Sequence, residues 1–437
     1  MKTWCMLNVR RRKGRVARNR NQRNSKEHND SIPCAHEKEI VQLRKWMKLY
    51  GFGKCSLVPY IFPETGRGLM ASADISSDDL IVAIPRCLLI TTETVLASEI
   101  GHWIKRWKPL LCPQQILSVY LMWETQKGAA SEWHPYIQTL PGSFTTPAYF
   151  TDTDLQLLPT AVFQRAVQLN QKLCVFYQQI IDFSDTYWPE SVEIFTFEAF
   201  RRAWYTVNSR SVYMEIGKSE FVRGVENNLA LAPFLDLLNH STQAQITAGY
   251  DRESKTYQIR TLVPYRRYEQ VFISYGPADN HKLLLEYGFI LPNNPHDVFN
   301  FTFDDLEILL RVFDVQFWDK KSEIIRQKHL ILNLSCSDEG LSWRLATALQ
   351  ILAMDWQELQ QWRGAMHQET VSVKNDRLCQ TFARYLVTKA MFEMDNHQVP
   401  DNFEDITVNQ KMALQLRNID KEILQKTLDS LVKHVKD

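Results

Sequence analysis

The run Pro233–Ser241 sets Asp236, Asn239 and His240 into an otherwise apolar segment, and Ile273-Ser274-Tyr275-Gly276 ends a second apolar run further on. An asparagine offers both a donor and an acceptor and can read an adenine edge. A metal site would need more His or carboxylate ligands than the first segment provides. Taken alone, Asn239 and His240 satisfying a tight turn explain that segment equally well.

Three further pieces could take part in the same chemistry. Thr65-Gly66-Arg67-Gly68-Leu69 reads as a Gly-x-Gly turn, where glycine lets the backbone approach a ligand closely. A plain tight turn accounts for it as well. It is not a dinucleotide fingerprint, because no third glycine follows and no helical pattern starts there. Asn208-Ser209-Arg210-Ser211 follows a helical pattern ending near Val207. Arg210 there could pair with a cofactor carboxylate through both arms of its fork, or be an ordinary surface arginine. Tyr287, with Phe289 close by, follows Tyr275, and such tyrosines are usually core or rim residues. The chain has no G-x-S-x-G elbow, no Walker A loop and no H-E-x-x-H.

The elements that must position these residues fall into blocks. Residues 35–50 have Ile40, Leu43, Trp46, Met47 and Tyr50 at helical spacing, and Gly51 and Gly53 follow as a stop. Residues 57–90 predict short strands broken by Pro63, Gly66, Gly68 and Pro85. From about 95 to 200 the pattern is helical, with a long helix over 161–187. Strand-like runs return at 229–275, including Gln258–Val263 and Gln270–Ile273. Beyond Asn300 the pattern is almost wholly helical, with apolar stripes over Leu341–Trp356 and Ile406–Val432. Strands on both sides of a helical insertion predict a sheet closed by residues distant in sequence.

A chain of 437 residues with 45% apolar residues can bury a large core. Its net charge of +1 hides an asymmetry. The first 26 residues hold ten Lys/Arg and no acid, which leaves 41 bases against 50 acids in the remainder. A mildly acidic body does not read as a dedicated nucleic-acid-binding fold. The basic arm is expected to be disordered, with either a role in nuclear import or nucleic-acid contact, or no specific role. No apolar run reaches the length of a membrane span. The eight cysteines form no C-x-x-C pair and no zinc-like cluster with histidine, which predicts reduced thiols in the cytosol or nucleus.

Taken in order, these pieces resemble the SET-domain methyltransferases, in particular the plant Rubisco large-subunit lysine methyltransferase class. The likeness covers about 35–437. It includes Gly66-Arg67-Gly68, Trp133-His134-Pro135-Tyr136-Ile137 with Leu140-Pro141, Ser209-Arg210, Asp236 to Ser241, Ile273 to Gly276, and Tyr287-Gly288-Phe289. The resemblance implies an α+β fold: a β-rich SET fold of short strands with a helical insertion, followed by an all-helical C-terminal substrate-binding domain. The implied bounds are an arm over 1–30, a SET domain over 31–299 with its insertion at about 95–200, and the helical domain over 300–437.

The resemblance further implies S-adenosylmethionine as cofactor and no metal. It places Thr65, Gly66, Arg67, Gly68, Ser209, Arg210, Asp236, Asn239, His240 and Tyr275 at the cofactor. Arg210 would take the methionine carboxylate, and Asn239 and His240 the adenine and ribose. Tyr275 and Tyr287 would be catalytic, and Ile273, Tyr287 and Phe289 would wall the channel for the target side chain. The actin-histidine-methylating branch lacks a tyrosine at the position of Tyr287, so its presence favours lysine over histidine. The implied partner is a lysine-bearing protein, histone or not, met by a monomer in cytoplasm and nucleus. Histidine methylation and a catalytically silent binding module are the alternatives.

Overall fold

In the computed structural model of the chain, residues 31–191, 193–224, 227–367, 369–395 and 406–433 are described, and the basic arm lies outside them. The chain divides into two units. One takes the residues up to Ser143 together with Phe176–Gly276, and the other takes Phe144–Val175 with the chain from Pro277 onward.

The first unit holds the short strands. Leu57–Phe62 and Gly66–Ala71 form a hairpin whose register runs from Leu57 opposite Ala71 to Phe62 opposite Gly66. The turn is Pro63–Thr65, so the two glycines lie in the strand and not in the turn that the Gly-x-Gly pattern suggests. Gln270–Ile273 pairs antiparallel with Gly66–Ala71 on one edge, with Val271 opposite Leu69. On its other edge it pairs parallel with Asn239–His240, placing Phe272 opposite Asn239 and Ile273 opposite His240. Sheet closure by distant residues is thus observed. Leu80–Pro85 pairs with Thr256–Thr261 in a second sheet.

Two helices of the insertion, Pro113–Gln126 and Phe197–Arg210, pack together in this unit. Thr196 caps the second by accepting from the Ala199 N–H, and Phe200, Ala203 and Val207 form its buried stripe. This helix does not end near Val207 but continues to Arg210. The Ser209 hydroxyl donates to the Tyr205 carbonyl at 2.6 Å, occupying a polar group that would otherwise compete with the last turn. Arg210 therefore projects from the end of a helix.

The second unit is mainly helical, with a core that includes Leu306, Leu345, Leu349, Phe382, Leu386 and Leu424. It also carries a small sheet, Phe299–Phe301 with Leu334–Ser337 and Gly340–Leu341, that helical periodicity does not predict. These strands are too short to leave a period-two signal. Leu341 consequently belongs to a strand, and the helix begins at Trp343. None of the described helices is long and apolar enough to cross a membrane.

A buried ion pair ties helix Asn280–Tyr287 to helix Val408–Lys433: His281 Nε2 lies 2.9 Å from Asp420 Oδ1. Burial alone would lower the His281 pKa. Asp420, through charge and hydrogen bond and with Asp279 and Asp297 nearby, instead carries it above the ordinary 6.5. The stabilisation is therefore complete below pH 6.5 and is lost as pH rises through the higher folded value. His281→Ala leaves a buried carboxylate without its counter-charge. Urea titration at pH 6 should show a loss of about 3–5 kcal/mol, shrinking at alkaline pH. An unchanged midpoint at pH 6 would mean that the pair does not stabilise the fold.

Candidate active site

The two-edged pairing of Gln270–Ile273 draws three of the sequence motifs into one place. Asn239 Nδ2 donates across to the backbone oxygens of Arg67 at 3.2 Å and Thr65 at 3.4 Å. Gln270, which no sequence motif singles out, joins them by donating from Nε2 to the Thr65 hydroxyl at 2.7 Å. Gly68 lies under both amides. A Cβ there would sit 2.7 Å from Asn239 Nδ2 and from Gln270 Nε2, so only glycine allows this approach.

The segment reaching Asn239 enters under strain. Phe234 is fully buried at φ 69°, ψ −42°, a left-handed conformation costly for a bulky residue. The strained bend leads into the turn Leu235–Leu237 and directs the Asp236 carboxylate inward, leaving its side chain 2% exposed. Arg210 Nη1 donates to the Asp236 carbonyl at 2.9 Å and to its Oδ2 at 3.3 Å. Tyr136 donates to the same Oδ2 at 3.0 Å. Burial raises the Asp236 pKa above its ordinary value, and Arg210 and the Tyr136 hydrogen bond offset only part of that rise. Burial together with the Asp236 charge keeps the Tyr136 hydroxyl protonated, so it acts as a donor.

His240 is buried and its ring stacks on Tyr275 at 5.1 Å. The Tyr275 N–H donates to His240 Nδ1 at 3.0 Å, which requires Nδ1 to be an acceptor and places the proton of the neutral ring on Nε2. The Tyr275 hydroxyl donates to the Leu238 carbonyl at 2.8 Å. Its position is thus fixed from both ends of the residue. Ile273 is buried at the end of the strand and its carbonyl accepts from the Ser241 N–H.

The remaining expected residues lie around this centre or in the second unit. Ser209 turns its hydroxyl back onto its own helix. Arg67 points its guanidinium to the Thr139 carbonyl, with a loose surface contact to Glu37. Tyr287 and Phe289 belong to the second unit. Tyr287 is the last residue of helix Asn280–Tyr287, and its ring lies 6.2 Å from that of Phe289. Gly288 ends the helix at φ 79°, where a Cβ would also strike the backbone of Thr145 and Thr146 at 2.8 Å. Burial raises the Tyr287 pKa, so its hydroxyl remains neutral. Buried Asn280 ties down the chain just past Phe289 by exchanging two hydrogen bonds with Leu291.

Residues 66–276 match the SET domain model. Mouse SET domain-containing protein 4 is 35% identical over 373 residues, covering 84% of this chain and 85% of the relative. The chain belongs to the SET-domain family. Actin-histidine N-methyltransferase of Xenopus tropicalis is 27% identical over 421 residues, covering 90% of this chain and 70% of that protein. The fold of the SET domain of LSMT bound to lysine and AdoHcy superposes with a TM-score of 0.67 at 19% identity, over 92% of each chain. Rubisco LSMT bound to AdoMet gives 0.66 at 20% identity, over 91% of this chain and 92% of that one. The protein is a SET-domain methyltransferase, and its methyl donor is S-adenosylmethionine.

The residues present fit that cofactor. Arg210 is bonded among the described residues only through Nη1, and its Nε is buried without a partner. The Nε–Nη2 edge of the fork is therefore a pair of donors with no acceptor among the described residues, which a carboxylate would satisfy bidentately. Asn239 offers amide atoms to a base edge, and neutral His240 offers no charge to repel a cation.

Gly68→Ala tests the close packing beneath Asn239. The added methyl displaces the amide from the Thr65 and Arg67 oxygens. Calorimetry should show S-adenosylmethionine binding weakened by about tenfold or more, the scale of a lost hydrogen-bonded contact. Wild-type affinity would mean that Asn239 does not need this position.

Proposed function

We propose that this SET-domain protein is a protein-lysine N-methyltransferase. The observation that carries lysine over histidine is Tyr287, held at the end of a helix by Gly288, with a neutral hydroxyl and Phe289 beside it. The resemblance sets a tyrosine there on the lysine side and leaves it absent in the histidine-methylating branch. The LSMT structures that share the fold hold lysine and monomethyllysine, which accords with this reading.

The bound cofactor supplies a methyl group on a positively charged sulfur. Arg210 would hold the distal carboxylate of the cofactor and Asn239 its base, so that these residues orient the donor. Orientation of this kind can supply several kcal/mol, up to about 7–11 in the best cases. The Tyr275 oxygen and the Leu238 carbonyl form an electron-rich rim that favours the cationic donor. The target amine must arrive neutral, although free lysine has a pKa near 10.4. Burial away from water disfavours the ammonium form, so a target lysine would give up its proton to water before attack.

Histidine methylation is the second reading, favoured by the actin-histidine N-methyltransferase relatives that match over 90% of the chain. Incubation of a cell lysate with the enzyme and deuteromethyl-labelled S-adenosylmethionine, followed by mass spectrometry, separates the two. The expected product is label on lysine Nε. Tyr275→Phe should reduce labelling by about 10²–10³-fold with cofactor affinity largely retained. Label on histidine, or full activity in that variant, contradicts the proposal.

A further inference from the structure

The insertion segment Trp133–Pro141 touches three of the elements that form the cofactor site. Trp133 anchors it, donating from its indole to the Tyr120 hydroxyl at 2.9 Å and packing edge-on against Trp46. Three contacts then leave the segment in three directions. Tyr136 donates to Asp236 Oδ2, the Thr139 carbonyl accepts from Arg67 at 3.2 Å, and the Pro141 carbonyl accepts from Arg202 Nε at 3.1 Å. Arg67 lies in the strand under Asn239, Arg202 lies two turns before Arg210 on the same helix, and Asp236 holds Arg210 itself. One short segment thus braces the strand, the helix and the turn that together form the site.

We infer that Tyr136 is a positioning residue for the cofactor's methionine carboxylate, acting through Asp236 on Arg210. This rests on the reading of Arg210 as the carboxylate partner. Asp236 Oδ2 receives both the Tyr136 hydroxyl and Arg210 Nη1. The tyrosine fixes where that oxygen sits, and the oxygen, together with the Asp236 carbonyl at 2.9 Å, sets the plane of the guanidinium. With Nη1 held, the Nε–Nη2 edge is set in one plane, with Nε buried and without a partner among the described residues. Tyr136 is fully buried and cannot touch the cofactor itself. Without its hydroxyl, the Asp236 oxygen is free to rotate, and the fork loses its fixed aim.

Two ligands separate aim from general integrity. S-adenosylhomocysteine carries the amino-acid carboxylate, and 5′-methylthioadenosine keeps the nucleoside without it. In the full-length protein, Tyr136→Phe should weaken S-adenosylhomocysteine about tenfold by calorimetry, the scale of one hydrogen bond to a charged group. It should leave 5′-methylthioadenosine within about twofold. Arg210→Met should show the same selectivity. Equal weakening of both ligands by Tyr136→Phe overturns the inference and leaves Tyr136 as a packing residue. A selective Arg210→Met with an unselective or silent Tyr136→Phe also overturns it, while sparing the reading of Arg210. An unselective Arg210→Met removes the underlying reading as well.

Asp236→Asn supplies the second variant. Its effect on S-adenosylhomocysteine should overlap with that of Tyr136→Phe, so the double variant is less than additive. Full additivity contradicts action through Asp236. If Tyr136→Phe does not fold, as judged by thermal unfolding, Asp236→Asn carries the ligand comparison alone. Equal weakening of both ligands would then count against the inference.

Discussion

Everything at the site depends on a strand of four residues bonded along both edges. Gln270–Ile273 runs antiparallel to Gly66–Ala71 and parallel to Asn239–His240. A strand in the middle of a sheet cannot slip by one residue without turning every side chain to the wrong face. The register therefore fixes Asn239 over the backbone of Thr65 and Arg67, and it fixes Tyr275 two residues past the strand end, where its amide meets His240. Gly68 is the condition for this closeness, because any larger residue would push the two neighbouring amides out of place.

The second constraint is the handling of charge. A cationic cofactor with a carboxylate tail needs a positive end and an electron-rich end within one small site. In the proposed site the positive end would be Arg210, which pairs with a buried carboxylate that is itself held by Tyr136. At the other end His240 accepts at Nδ1 as a neutral ring, and Tyr275 turns its hydroxyl to a carbonyl. Breaking the Arg210–Asp236 pair on either side would leave a buried or half-buried charge exposed to low dielectric, which is why the pair must be complete for either member to serve.

Much of the site is legible in the sequence, because the motifs are local and their order is distinctive. Asn239-His240, Tyr275 and the Gly66–Gly68 strand each occupy a few consecutive residues, and the helices before and after them announce themselves by period. The contacts that make the motifs a site are not legible. Tyr136 meets Asp236 across a sequence separation of 100 residues, and nothing in the spacing marks that hydroxyl for that carboxylate. Gln270 looks like an ordinary polar residue in a strand, yet it shares the roof over Gly68. The helical pattern stops three residues short of Arg210, because Asn208 and Ser209 favour caps and turns, whereas here Ser209 bonds back into the helix. The small sheet in the second unit escapes for a related reason: strands of two to four residues leave no periodic trace.

The central claim is that three distant segments combine into one grip on S-adenosylmethionine, with Arg210 at its carboxylate end. A crystal structure of the protein with S-adenosylhomocysteine tests it directly. The carboxylate should lie on the Nε–Nη2 edge of Arg210 and the adenine against Asn239 and His240. Tyr136, Asp236 and Arg210 should keep their present hydrogen bonds. A ligand whose carboxylate lies away from Arg210, or an Arg210 that leaves Asp236 to reach it, would contradict the claim.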